Sequence, residues 1–217
     1  MKILAADTAL GACSVAVLDG TRVLAHRFEA MERGHAEALA PMVEETMREA
    51  GIAFADIARL AVTTGPGTFT GQRVGLALMR GLRVALKKPL VGVTTLEAMC
   101  AAALEEVRTD YAAAIHDARR GEAYLAITSK AGVLLPPTLV ALNAAAPKIL
   151  ETAAQTSIAL AGTAAEVVAE ALGRQSIVTS IRQPDALWVA RLAAAAPAPT
   201  EVPRPLYLRA PDAKLPA

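Results

Sequence analysis

The fold is decided by residues 63–75, which read Thr63-Thr64-Gly65-Pro66-Gly67-Thr68-Phe69-Thr70-Gly71-Gln72-Arg73-Val74-Gly75. The residues Leu60 to Thr64 predict an apolar strand that enters this stretch, and Gln72 to Leu86 predict a helix that leaves it. Backbone N–H groups at a helix N-terminus attract anions. The stretch is therefore either a phosphate-binding loop or a tight turn that glycine allows between a strand and a helix.

The glycine loop does not match the common nucleotide-binding motifs. A Walker A motif places Lys and then Ser or Thr after its last glycine, so that an ammonium reaches the phosphates and a hydroxyl binds magnesium. Here Gly71 is followed by Gln72 and Arg73, and Thr70 breaks the GxGxxG spacing. The loop and the end of the first strand still supply residues similar to a nucleotide or phosphate loop, which are Asp7, Thr8, Gly65, Gly67, Thr68 and Gly71.

The helix after the loop has two unlike faces. One face gathers apolar side chains at the helical period, and the opposite face gathers cations at Arg73, Arg80, Arg83 and Lys87. Gly75 and Gly81 lower the helix propensity and allow close approach of another backbone. The basic face is either solvated or part of a contact with a partner helix.

The rest of the chain predicts an α/β fold. Strands at Lys2–Asp7, Ala12–Leu18 and Arg22–Ala30 form a meander. Apolar positions at spacings of three and four predict a helix over His35–Ala50. Further strands are predicted at Leu90–Val93, Tyr111–Asp117, Glu122–Ser129, Ser157–Ala161 and Ser176–Thr179. Helices separate most of these strands, and the pattern changes character near residue 100.

Composition restricts the classes of function. Of the 217 residues, 54% are hydrophobic, and Lys and Arg total 22 against 21 Asp and Glu. The chain can therefore bury a substantial core, but it has no general basic field for binding nucleic acid by itself. Cys13 and Cys100 show neither metal-site nor disulfide spacing. We expect a cytoplasmic protein without a signal peptide or a membrane span.

No catalytic arrangement is visible in the sequence. The histidines His26, His35 and His116 have no partner at metal-ligand spacing, and the GxSxG elbow of hydrolases does not occur. Asp7 ends the first strand, where it is either a turn former or a group that polarises water or a metal. We therefore predict no catalytic residue and no metal site.

Five sequence blocks together resemble the TsaB (YeaZ) family. They are Ile3-Leu4-Ala5-Ala6-Asp7-Thr8-Ala9, Gly34-His35-Ala36-Glu37-Ala38-Leu39-Ala40-Pro41, Gly65-Pro66-Gly67-Thr68-Phe69-Thr70-Gly71, Asp117-Ala118-Arg119-Arg120-Gly121-Glu122 and Pro205-Leu206-Tyr207-Leu208-Arg209. The resemblance implies the α/β fold of the actin, hexokinase and Hsp70-like (ASKHA) superfamily, with two related lobes that each contain a mixed β-sheet and packed helices. It implies a first lobe at 1–100, a second, smaller lobe at 101–185, and a C-terminal helix and tail at 186–217 that return to the first lobe.

The resemblance also implies a role in forming threonylcarbamoyladenosine (t6A) on N6 of adenosine 37 in tRNAs that read ANN codons. A paralogue, TsaD, makes the transfer and binds a metal through an HxxxH pair on the helix after the corresponding strand. In this sequence Thr95 and Met99 stand at those positions, and neither side chain replaces a histidine as a ligand for such a cation. We therefore expect an inactive paralogue that acts as a scaffold or activator.

Two enzyme classes remain as alternatives. The first is an ASKHA-type small-molecule kinase or ATPase, which Thr8-Ala9-Leu10 argues against because phosphate-binding glycines are missing there. The second is a metalloprotease-like hydrolase, which the absence of a histidine pair argues against.

The resemblance implies partners as well. It predicts binding to TsaD through helices of the N-terminal lobes, recruitment of the ATPase TsaE, indirect contact with tRNA through the complex, and a homodimer of the isolated chain through the same surface. No cofactor is expected on this chain alone, and ATP or ADP is expected at the interface of the complex. The predicted interface residues are His35, Leu39, Met42, Arg73, Gly75, Arg80 and Arg83.

Overall fold

The computed structural model describes residues 1–153, 157–173 and 176–209 and contains two five-stranded sheets. The strands are β1 (Lys2–Asp7), β2 (Ala12–Asp19), β3 (Arg22–Ala30), β4 (Arg59–Thr63), β5 (Leu90–Val93), β6 (Tyr111–Arg119), β7 (Glu122–Ser129), β8 (Gly132–Ala141), β9 (Ile158–Ala161) and β10 (Ser176–Val178). The helices are α1 (His35–Ala50), α2 (Phe69–Leu86), α3 (Thr95–Val107), α4 (Leu142–Ala153), α5 (Ala165–Leu172) and α6 (Ala186–Ala195).

The two sheets repeat one topology. The first has the strand order β3-β2-β1-β4-β5, and the second has the order β8-β7-β6-β9-β10. In each sheet the first three strands in sequence form an antiparallel meander, and the last two run parallel to the first strand. The predicted fold class, two related lobes that each contain a mixed sheet and helices, is therefore confirmed.

The sequence pattern does not predict β8. This strand contains Pro136 and Pro137, and proline cannot donate a hydrogen bond to a strand ladder. β8 lies at the edge of the second sheet, where one side of the strand needs no partner. None of its ten residues is fully buried, so the alternation of apolar and polar residues that marks a strand is weak here.

Helices cover both faces of both sheets. α1 and α2 pack on one face of the first sheet, over Leu4 and Val15, and α6 packs on the other face, over Ile3. α3 covers the inner face of the second sheet, over Ala112, while α4 and α5 cover its outer face, over Ile115. α3 and α6 contact each other, so the two lobes meet through these helices.

α6 attaches the end of the chain to the first lobe. It follows the whole second sheet in sequence, yet it packs on β1, β2 and β4. The backbone N–H of Ala186 donates to Ser14 Oγ at 2.8 Å, and Arg59 Nη1 donates to the carbonyl oxygen of Ala193 at 2.5 Å. Of the tail predicted at 186–217, residues 210–217 lie outside the described residues.

Candidate functional site

The glycine loop leads from β4 into α2 and is capped by Thr68. The hydroxyl of Thr68 accepts a hydrogen bond from the backbone N–H of Gly71 at 3.0 Å, which satisfies one of the N–H groups that a helix leaves unpaired at its start. α2 therefore begins at Phe69, not at Gln72 as predicted. The prediction began the helix late because glycine disfavours helix in general, whereas here the threonine cap fixes the helix start.

The turn between β1 and β2 packs directly against the glycine loop. Thr8 Oγ1 donates to the carbonyl oxygen of Gly71 at 2.7 Å and accepts from the N–H of Gly75 at 3.0 Å. A Cβ atom added to Gly67 would lie 2.2 Å from the carbonyl oxygen of Ala9, and one added to Gly71 would lie 2.2 Å from that of Thr8. These glycines therefore allow two backbones to approach closely, so they have a structural role within the chain.

Gly65 has a structural role too. Its backbone has a φ of +107° and is followed by a cis peptide bond to Pro66. A Cβ atom here would lie 2.5 Å from Gln72 Oε1, and the Gly65 carbonyl oxygen accepts a hydrogen bond from the N–H of Thr95 at 2.9 Å. Gly65 thus holds the starts of α2 and α3 together.

Asp7 is a buried carboxyl group beside the loop. Its Oδ1 accepts hydrogen bonds from Thr63 Oγ1 at 2.5 Å and from the N–H of Ala9 at 3.2 Å. Its Oδ2 is buried without a hydrogen-bond partner among the described residues. Burial raises the pKa of Asp7 from 3.8 to about 7, although both hydrogen bonds act to lower it. The sequence left two roles open for Asp7, a turn former or a group that polarises water or a metal. The hydrogen bond from the N–H of Ala9 favours the turn-forming role.

A cavity of about 530 Å³ opens between the two lobes next to the glycine loop. Of the six predicted loop residues, Gly67 and Thr68 line it and the other four do not. Its charged and polar lining includes Glu32, Arg33, His116, Asp117, Arg119 and Tyr124. None of these residues is predicted as a site residue from the sequence, and the block at 117–122 is the one signal that includes any of them, namely Asp117 and Arg119.

His116 lies on the wall of this cavity that the second lobe provides. It is 8% exposed, and its Nδ1 has no hydrogen-bond partner among the described residues. It is paired with Tyr124 across β6 and β7. Burial lowers the pKa of His116 from 6.5 to about 4, against the opposing effect of Asp117. The imidazole is therefore neutral near pH 7.

Four of the predicted interface residues are buried inside the chain, so their assignment to an exposed surface is corrected. Leu39 and Met42 belong to the core between α1 and the first sheet. His35 is also buried, with its Nε2 3.0 Å from the carbonyl oxygen of Leu10. Gly75 packs against Thr8.

The cations of α2 contact the C-terminal tail. The guanidinium of Arg73 lies 3.4 Å from the centre of the Phe69 ring, and its Nε donates to Tyr207 Oη at 2.9 Å. Arg80 donates to the carbonyl oxygen of Pro203. The chain itself thus partly covers the basic face of α2. The sequence suggested either a solvated face or a contact with a partner helix, and it did not predict this contact within the chain.

A strip of α2 beside these cations is open to solvent. It carries the exposed residues Ala77, Gly81, Val84 and Ala85. Val84 is 70% exposed, and a Cβ atom added to Gly81 would have no other atom within 4 Å. Gly81 therefore has no neighbour in the described chain that requires a glycine there.

The described residues contain no group of three or more His, Cys, Asp or Glu side chains placed to hold a metal ion. Thr95 and Met99, at the start of α3, are fully buried. Among the described helices, none has the length and apolar content required to cross a membrane.

Comparison with known proteins gives a consistent result. Residues 23–215 match the family model described as TsaD, tRNA N6-adenosine threonylcarbamoyltransferase. The tRNA threonylcarbamoyladenosine biosynthesis protein TsaB of Escherichia coli (strain K12) is 41% identical over 126 residues, which cover 58% of this chain and 54% of that protein. The chain thus spans about half the length of the curated relatives that it matches at this level.

Solved structures resemble the whole chain. A crystal structure of an uncharacterized protein with similarity to peptidase YeaZ, from Pseudomonas aeruginosa, has a TM-score of 0.82 and 30% identity, and the match covers 96% of this chain and 99% of that one. The activator of 2-hydroxyisocaproyl-CoA dehydratase from Clostridium difficile shares the fold, with a TM-score of 0.52 and 14% identity over 89% of this chain and 94% of that one. The predicted resemblance to TsaB and YeaZ is confirmed.

Proposed function

Since the chain belongs to the TsaD family, within which it is similar to TsaB (YeaZ), we propose that it takes part in forming t6A in tRNA. In this proposal the chain is a scaffold or activator subunit, and the transfer is made by TsaD. The observation that carries the proposal is the match over residues 23–215 together with the similarity to the TsaB biosynthesis protein.

The non-catalytic role is supported by the start of α3. Thr95 and Met99 lie one helical turn apart and are fully buried in the core. A hydroxyl and a thioether in this position are poor ligands for a borderline or hard cation. Catalysis by this chain alone would therefore need another site, so we expect activity only in the complex with TsaD and TsaE, with ATP or ADP at their interface.

The exposed face of α2 is the surface that we propose for contact with TsaD. Ala77, Gly81 and Ala85 follow one another at intervals of four residues, so they lie on one side of the helix. Their small side chains let a partner helix approach closely, and the exposed Val84 beside them offers apolar area. The same face would mediate self-association of the isolated chain.

A charge placed on this face tests the assignment. Val84→Arg should weaken binding of purified TsaD at least tenfold in a calorimetric titration, because the arginine must be desolvated at an apolar contact. Val167→Arg on α5 is the matched control, since Val167 is also an exposed helical valine, at 56% against 70% for Val84. Equal affinity of the two variants would contradict the surface assignment.

A reconstitution tests the function itself. Unmodified tRNA and ATP are added to a lysate of cells from which the chain has been deleted, with or without the purified chain, and t6A is measured by mass spectrometry of digested tRNA. We expect product only when the chain is present. Full product without the chain would overturn the proposal, and ATP turnover by the chain alone would favour the kinase or ATPase alternative.

A further inference from the structure

The cavity between the lobes carries charges that the proposed function does not use. Each lobe contributes one carboxylate and one guanidinium to its lining: Glu32 and Arg33 come from the first lobe, and Asp117 and Arg119 from the second. None of these four side chains has an ion-pair partner among the described residues. The two walls therefore carry charges of both signs without an ion-pair partner among the described residues, and Asp117 Oδ1 accepts a hydrogen bond from the backbone N–H of Arg119 at 2.7 Å.

A buried polar group lies in the same lining. His116 is 8% exposed, and its Nδ1 has no partner among the described residues, although buried polar groups in folded proteins are nearly always hydrogen-bonded. Its ring is neutral near pH 7, because burial lowers its pKa to about 4. A neutral imidazole carries one donor and one acceptor nitrogen; since Nδ1 is buried, a ligand can reach only the edge of the ring that lines the cavity.

We propose that this cavity binds a small zwitterion of amino-acid or dipeptide size, with its carboxylate near Arg33 and Arg119 and its ammonium near Glu32 and Asp117. Guanidinium groups recognise carboxylates through paired, charge-assisted hydrogen bonds. The volume of about 530 Å³ lies within the range of small-molecule sites, roughly 300–1,000 Å³. A polyphosphate carries only negative charge, so both carboxylates would repel it. A zwitterion offers an ammonium to the carboxylates and a carboxylate to the guanidinium groups. This inference does not depend on the proposed function.

Binding to the isolated chain is measured by calorimetry and by saturation-transfer NMR, with L-alanine and L-alanyl-L-alanine as probes. N-acetyl-L-alanyl-L-alanine lacks the ammonium, and L-alanyl-L-alanine amide lacks the carboxylate. We expect each to bind at least tenfold more weakly than the dipeptide, because one pair of charges loses its partner. No binding of either zwitterion at millimolar concentration would overturn the proposal. Equal binding of the capped analogues, or binding of inorganic phosphate or Mg-ATP instead, would also overturn it.

Substitutions locate the binding site. Glu32→Gln and Arg33→Gln change exposed side chains, and each should weaken dipeptide binding about tenfold without affecting the fold. Arg22→Gln, at an exposed residue on the far edge strand of the first lobe, is the matched control and should bind like the wild type. Wild-type affinity in both cavity variants would contradict the site. The Val84→Arg variant should still bind the dipeptide, so failure here is distinguishable from failure of the TsaD interface.

Discussion

Substitution of Gly67 by alanine is expected to destabilise the first lobe. An ideal Cβ atom at Gly67 lies 2.2 Å from the carbonyl oxygen of Ala9, more than an ångström inside the optimum of about 3.5 Å for nonbonded atoms. The loop and the β1–β2 turn must separate, which costs about 1–3 kcal/mol for overpacking. The separation also weakens the bond of 2.8 Å from the N–H of Thr68 to Ala9 O, worth about 1 kcal/mol. The sum is about 3 kcal/mol.

Urea unfolding followed by Trp188 fluorescence measures this loss. Trp188 lies on α6, which packs on the first sheet, so it reports on the affected lobe. With a slope of about 2 kcal/mol per molar urea, Gly67→Ala should lower the midpoint by about 1.5 M. Gly81→Ala is the matched control: its Cβ meets nothing within 4 Å, and the higher helix propensity of alanine should stabilise it by up to about 1 kcal/mol. A loss below about 1 kcal/mol at Gly67, or an equal loss at Gly81, would refute the reasoning.

Three further outcomes are expected. The pKa of Asp7 is about 7 in the folded chain against 3.8 for the free group, so ionisation of Asp7 lowers the free energy of unfolding. As the pH rises from about 4 to about 7, the free energy of unfolding of the wild type should fall by up to about 4 kcal/mol relative to that of Asp7→Asn. A difference in unfolding free energy between the wild type and Asp7→Asn that stays constant from pH 5 to pH 8 would contradict this. Tyr207→Ala removes the hydrogen bond and ring contacts that hold the tail to α2, so trypsin should cleave after Arg209 faster than in the wild type, as followed by mass spectrometry; an unchanged rate argues against the contact. Burial raises the pKa values of Cys13 and Cys100 to about 12, so neither thiol should react with Ellman's reagent at pH 8 until guanidinium unfolds the chain, and rapid reaction of the native protein would contradict their burial.

The helical period predicts α1 well, but it does not by itself say which of its positions face a partner. Leu39 and Met42 belong to the apolar stripe that predicts the helix, and that stripe packs on the first sheet. Their assignment to an interface conflicted with their place in the stripe. On α2, in contrast, Gly81 is exposed, and an added Cβ atom there would meet nothing within 4 Å.

The candidate site was predicted less completely, because its contacts join residues that are far apart in sequence. The strand-to-helix turn is recognisable from glycine and threonine alone. However, Thr8 and Gly71 are 63 positions apart, and Arg73 and Tyr207 are 134 apart. Neither the spacing of apolar residues within one helix or strand nor a short motif predicts contacts between residues so far apart. The cavity is harder still to predict, since its opposite walls come from different lobes.

The position of α6 affects the order in which the chain can fold during synthesis. The ribosome releases β1 and β2 first, but the helix that covers Ile3, Ala5 and Leu18 ends at Ala195. This apolar surface therefore stays open to solvent while the entire second lobe is made. Nascent chains that stop before residue 186 should bind general chaperones and aggregate, whereas chains that include α6 can complete the first lobe.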